Sequence, residues 1–174
     1  TGPSGELRLW LEDAPGKPGL AWDLHDYELA ARNLGRFQGA FPSSIALPEE
    51  AWWSRNWVRA YIERRHDRFV PPLARDTLRH PLLKLAFGKD VSSRVATIWS
   101  SRHDRLDQLD RAPQALCHHD FWTKNLFHEP AASGSAVTVA IDWAYAGVGP
   151  LGSDIATLMA DAINDGFIPH DQIE

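Results

Sequence analysis

Apolar residues recur along the chain with two different periods, and the change from one to the other divides it. Leu7, Leu9 and Leu11 alternate with Arg8 and Trp10, which predicts a short strand over residues 6–11. The Pro- and Gly-rich stretch 14–19 ends it as a linker. Leu24, Tyr27, Ala31, Leu34, Gln38 and Phe41 then follow at spacings of three and four behind Asp23, a good N-cap. This predicts an amphipathic helix that stops at Pro42, with Gln38 the only polar member of its stripe. A second helix is expected from Pro48 through Trp53, Trp57 and Tyr61 to about Asp67. Residues 69–89, interrupted by Pro71, Pro72 and Pro81, read as short helices and turns. Asp90 opens a long helix with Val91, Val95, Ile98, Arg102, Leu106 and Leu109 on one face, ending before Pro113.

Beyond Pro113 the texture becomes that of short strands: Ala115–Cys117, Leu126–His128 and, most clearly, the β-branched run Val137–Ile141. Residues 129–136 form the hairpin loop between the last two. A Gly/Pro loop follows Asp142, and Ser153 starts a last helix through Ile155, Leu158, Met159 and Ala162. The expected class is α+β, mostly helical, with a small β-hairpin set near the C-terminal end.

Composition narrows the function. A net charge of −5 provides no basic field for nucleic acid or an anionic membrane, and favours a neutral or cationic small molecule. A single cysteine, Cys117, excludes an internal disulfide and fits a reducing cytoplasm. No apolar run approaches the length of a bilayer span. The eight tryptophans promise aromatic packing, and Trp52, Trp53, Trp57 and Trp99 read as core or as the wall of a substrate pocket.

The polar chemistry gathers in one place. His118-His119-Asp120-Phe121-Trp122-Thr123-Lys124-Asn125 lies between two strands, and Asp142 follows 22 residues after Asp120 at the end of the strongest strand. A loop so placed can aim Asp120 at a substrate hydroxyl while Asn125 turns toward a metal ion that Asp142 also holds. Mg²⁺ takes hard oxygen donors and only one or two protein carboxylates, so these are parts that phosphoryl transfer requires.

The pattern His118-x-Asp120-x4-Asn125, with Ile141-Asp142-Trp143 after it, resembles the aminoglycoside phosphotransferase and choline kinase-like families. Gly152-Ser153-Asp154-Ile155-Ala156 is similar to their Gly-x-x-Asp-Leu-Ala segment, and Leu9-Trp10-Leu11-Glu12-Asp13 resembles their adenine-touching hinge strand. The resemblance implies the C-terminal lobe of a kinase-like fold, with residues 1–13 ending a missing N-terminal lobe and residues 14–174 forming a helical catalytic lobe truncated at its C-terminus. It implies Asp120 as catalytic, Asn125 and Asp142 as Mg²⁺ ligands, His118 and Asp154 as supports of the loop, and Leu11, Glu12 and Asp13 as contacts to ATP or GTP. The implied reaction moves a γ-phosphoryl group to the hydroxyl of an aminoglycoside, amino-alcohol or similar acceptor. His119 departs from the family, where glycine often stands, and leaves open which histidine braces the loop. No glycine-rich phosphate loop or Lys–Glu pair precedes the hinge, so this stretch alone is expected to be inactive.

Other readings compete. Gly147-Val148-Gly149-Pro150-Leu151-Gly152 matches a dinucleotide fingerprint, but four residues separate its first glycine from Asp142, whereas the fingerprint needs the turn to follow the strand directly. His-Asp pairs at 25–26, 66–67, 103–104, 119–120 and 170–171 suit a helical metal-dependent phosphohydrolase, yet Asp142 leaves a strand. A catalytically inactive binding module is a third reading, against which Asp120, Asn125 and Asp142 together argue. Asp154 also reads as a helix anchor, Cys117 as buried and inert, and Lys124 as a phosphate ligand or a solvated side chain. Asp161 and Asp165, four apart on the last helix, present one acidic face that either is solvated or draws a cationic acceptor.

Overall fold

A computed structural model describes residues 13–14, 16–40, 50, 52–65, 81, 93–130 and 136–167. The strand over 6–11, Leu11 and Glu12 of the hinge, and the Asp90 cap lie outside these residues. No helix among them is long and apolar enough to cross a membrane. The chain forms two compact units: residues 1–36, 121–142 and 155–174 in one, and residues 37–120 and 143–154 in the other.

In the first unit, helix α1 (Leu24–Gly39) starts where the sequence places it. The Asp23 carboxylate accepts the Asp26 amide and Asp26 accepts the Asp23 amide, a reciprocal capping box. Tyr27, Ala30 and Leu34 bury one face while Leu24 stays 45% exposed. The linker holds more order than its Pro/Gly content suggests. Its Lys17–Pro18 pair forms strand β1, antiparallel to β4 (Leu126–Pro130), which pairs in turn with β5 (Ala136–Ala140). In this register Leu126 faces Ala140 and Phe127 faces Val139. Leu158 and Ala162, on the part of helix α4 (Ser153–Asn164) within this unit, are buried beside Tyr27 and Ala31.

The second unit is built on a sheet of order β2–β6–β3, in which β2 (Ser54–Arg55) runs parallel and β3 (Gln114–Cys117) antiparallel to β6 (Gly147–Pro150). Here the sequence reading needs correction. The second helix does not include Trp53: β2 occupies that stretch, and α2 spans only Trp57–Arg64 after Asn56 turns the chain at φ 53°. Trp52 is consequently surface, 71% exposed and stacked on Trp53, rather than core.

The long helix is also divided, into a helical stretch over 93–100 and α3 (Arg102–Arg111). Thr97, Ser100 and Ser101 each return their hydroxyl to a carbonyl three or four residues back, which loosens a helix at such a cluster. Of its expected face, Leu106 alone is buried among the described residues, while Ile98 and Leu109 are exposed; Val91 lies outside them.

Strand β6 emerges from the Gly/Pro loop and explains its glycines. A Cβ on Gly147 would lie 2.0 Å from the Ser54 carbonyl oxygen, and one on Gly149 would lie 2.3 Å from the His119 ring. These glycines admit a neighbouring strand and an imidazole, so the fingerprint-like spacing has a packing cause.

Candidate functional site

The second unit carries the start of the loop. Strand β3 delivers His118 and His119 into the interior, fully buried and 8% exposed respectively, and leaves Asp120 half-buried after them. Asp154, at the N-terminal end of α4 and fully buried, fixes them. Its two carboxylate oxygens accept the His118 amide at 2.8 Å and the His119 amide at 2.9 Å. Bonds to a buried carboxylate are the strong, charge-assisted kind. Gln38 completes the group, its side-chain amide donating to Asp154 at 3.4 Å and to the Leu116 carbonyl. The lone polar residue in the α1 stripe was therefore the sequence signal for a buried polar partner.

The two histidines differ in what they do. His118 accepts the Asp120 amide on Nδ1 at 3.2 Å and packs edge-on against Trp143. His119 sits at φ 64°, a left-handed conformation that glycine takes freely and that costs other residues roughly 1–2 kcal/mol. Its ring fills the space over Gly149, beside Trp57. Neither of its ring nitrogens makes a hydrogen bond of normal geometry, and burial holds the imidazole below its ordinary pKa against the opposing Asp154 charge and the nearby Val148 backbone. Cys117 is likewise buried, and burial with the Asp154 charge pushes its thiol up to about 11.

The first unit carries the end of the loop. Thr123–Asn125 form a single 3₁₀ turn held by Asp161 of α4, which accepts both the Thr123 amide and the Thr123 hydroxyl. Asn125 is buried, and its carbonyl accepts the Ile141 amide at 2.9 Å, tying it to the segment that ends in Asp142. Asp142 is exposed and, like His119, left-handed, at φ 60°. An amide oxygen and a carboxylate are hard donors, a chemistry that suits Mg²⁺. Lys124 is exposed with its ammonium over the Trp122 ring at 4.5 Å. Asp165 accepts the Tyr27 hydroxyl at 2.7 Å, and burial together with that bond raises the phenol's pKa. Asp13 is exposed coil.

A second polar cluster in this unit has no counterpart in the sequence reading. Asp26 meets Lys17 and, at 3.2 Å, His128, whose ring stacks on Trp22 at 4.1 Å. Burial works to raise the Asp26 pKa, but bonds from Lys17, the Asp23 amide and His128 bring it to about 2. His128 lies 102 residues from Asp26 in sequence, which hid the cluster.

The sequence profile of the phosphotransferase enzyme family matches residues 3–171. Among solved structures, aminoglycoside phosphotransferase APH(3'')-Id from Streptomyces rimosus, bound to ADP and streptomycin, aligns at a TM-score of 0.52 and 16% identity, covering 91% of this chain. A type VIII aminoglycoside-3'-phosphotransferase aligns at 0.43 and 16%, covering 92%. The chain spans 55% of the length of each. No curated protein matches it. The architecture is therefore the mixed, mainly helical one of kinase-like phosphotransferases.

Proposed function

Because the chain belongs to the phosphotransferase enzyme family, we propose that it provides the catalytic lobe of a small-molecule kinase that phosphorylates a hydroxyl at the expense of ATP or GTP. The observation that carries this reading is the pair of hydrogen bonds that Asp154 accepts from the His118 and His119 amides, with His118 accepting the Asp120 amide. Three hydrogen bonds spent on fixing the backbone at Asp120 are what a positioned base requires. Asp120 orients the acceptor hydroxyl and takes its proton. The freed oxygen forms a bond to the γ-phosphorus, and the bond to the bridging oxygen breaks, releasing the nucleoside diphosphate. Asn125 and Asp142 would hold Mg²⁺, which neutralises charge on the transferring phosphates. Leu11, Glu12 and Asp13 are proposed to meet the adenine or guanine.

An acceptor bearing an amine, of the aminoglycoside or amino-alcohol kind, suits the net charge and the acids of α4. The solved relative holding ADP and streptomycin supports this pairing of nucleotide and polycationic acceptor. Asp161 and Asp165 both have structural partners, so any attraction they exert on such an acceptor is long-range and falls with added salt. Nucleotide consumption by the full-length protein, screened against hydroxylated small molecules, tests the proposal. Acceptor- and Mg²⁺-dependent release of diphosphate with a phosphorylated product is expected. Nucleotide binding without turnover on any acceptor would instead indicate a binding module.

A further inference from the structure

Behind the loop lies a cluster that phosphoryl transfer does not use. Cys117 Sγ, a ring nitrogen of His119 and a carboxylate oxygen of Asp154 all lie within 4.8 Å of one another, the one such group of potential ligands among the described residues. All three side chains are buried. The His119 ring makes no hydrogen bond of normal geometry through either nitrogen, the Val148 backbone being the nearest polar group to favour its charged form, although the protein holds it in a left-handed backbone conformation and clears Gly149 to receive it. A buried polar group with no partner asks for an absent one, a water or an ion.

We propose that Cys117, His119 and Asp154 form a binding site for a thiophilic divalent cation of the Zn²⁺ type. Sulfur, imidazole and carboxylate are the donor set that Zn²⁺ accepts, three from protein with a fourth position for water. Metal–ligand bonds of about 2.0–2.3 Å put tetrahedral ligand atoms roughly 3.5 Å apart, so the cluster closes by up to about 1.3 Å per pair around the ion. Two groups already point hydrogen at the sulfur, Ser153 Oγ at 3.5 Å and Gln38 Nε2 at 3.6 Å, and would stabilise the thiolate that forms when the thiol proton leaves. Of the carboxylate's roughly four acceptor positions, the His118 and His119 amides and the Gln38 side chain occupy three, which leaves one for an ion. Mg²⁺, an oxygen-seeking ion, has little use for this set, so the site is chemically separate from Asn125 and Asp142.

Cobalt(II), a spectroscopic stand-in for zinc, tests the site in the full-length protein with Mg²⁺ in excess. Cys117 is the sole cysteine of this sequence, and a thiolate-to-cobalt charge-transfer band that disappears in Cys117→Ser is assigned to it. One equivalent should produce that band and the visible bands of a tetrahedral ion, and Zn²⁺ should abolish both. His119→Gly, which places glycine where the backbone is left-handed, should weaken cobalt binding at least about 10-fold without lowering the metal-free melting temperature. Should that variant fold poorly, zinc X-ray absorption on the wild-type protein decides, with one sulfur and one imidazole expected in the shell. No thiolate band, affinity unchanged in His119→Gly, or a shell of oxygen alone would overturn the proposal.

Discussion

Asp154 and Asp161 stand seven residues apart on one helix and perform the same task on two parts of one segment, yet in different surroundings. Asp154 is fully buried and accepts two backbone amides, those of His118 and His119, in the stretch that leads to Asp120. Asp161 is half-buried and accepts one amide and one hydroxyl, both from Thr123, in the turn that leads to Asn125. The stretch that leads to Asp120 is therefore built into the core, while the turn that leads to Asn125 is held locally.

That contrast can be broken by substitution. Asp154→Ala strands two buried amides at about 1–3 kcal/mol each, so denaturant unfolding should register a loss of roughly 2–6 kcal/mol. Asp161→Ala removes a half-buried partner that serves one amide and one hydroxyl, and the same measurement should lose only about 1–2 kcal/mol, with Mg²⁺-dependent nucleotide binding reduced more than folding. Equal losses in the two variants would remove the distinction. The smallest effect belongs to the Asp26 cluster. Because the folded Asp26 carboxyl is depressed to about 2 from 3.8, its contribution is complete above pH 3.8 and disappears as pH falls toward 2. Burial lowers the His128 pKa as well, so acid destabilises through both groups. Asp26→Asn should flatten the dependence of melting temperature on pH between about 4 and 2, and an unchanged acid limb would remove Asp26 from this role.

Sequence and structure agree where the signal is local and periodic. The start of α1 at Asp23, the strands carrying residues 115–117, 126–128 and 137–140, and α4 from Ser153 were all legible from spacing and capping. The loop between β3 and β4 stood out because His118, Asp120, Asn125 and Asp142 keep a fixed spacing. What escaped was non-local. Strands β2 and β6 have no alternation, since their existence depends on one another and on β3. The break at Ser101 arises from side-chain hydroxyls competing for helix carbonyls, which an apolar stripe does not reveal. The third ligand of the Cys117–His119 pair is Asp154, distant in sequence and already explained as an anchor, so the cluster was visible only once the chain was folded.

The role of Asp120 is the claim on which the functional account turns, and one comparison tests it most directly. Wild-type full-length protein and Asp120→Asn, which preserves shape and removes the base, are assayed for acceptor phosphorylation and, separately, for nucleotide affinity. The account predicts that kcat falls by about 10²–10⁴-fold while nucleotide Kd changes no more than a few-fold. A variant that keeps more than about a tenth of wild-type kcat would contradict it.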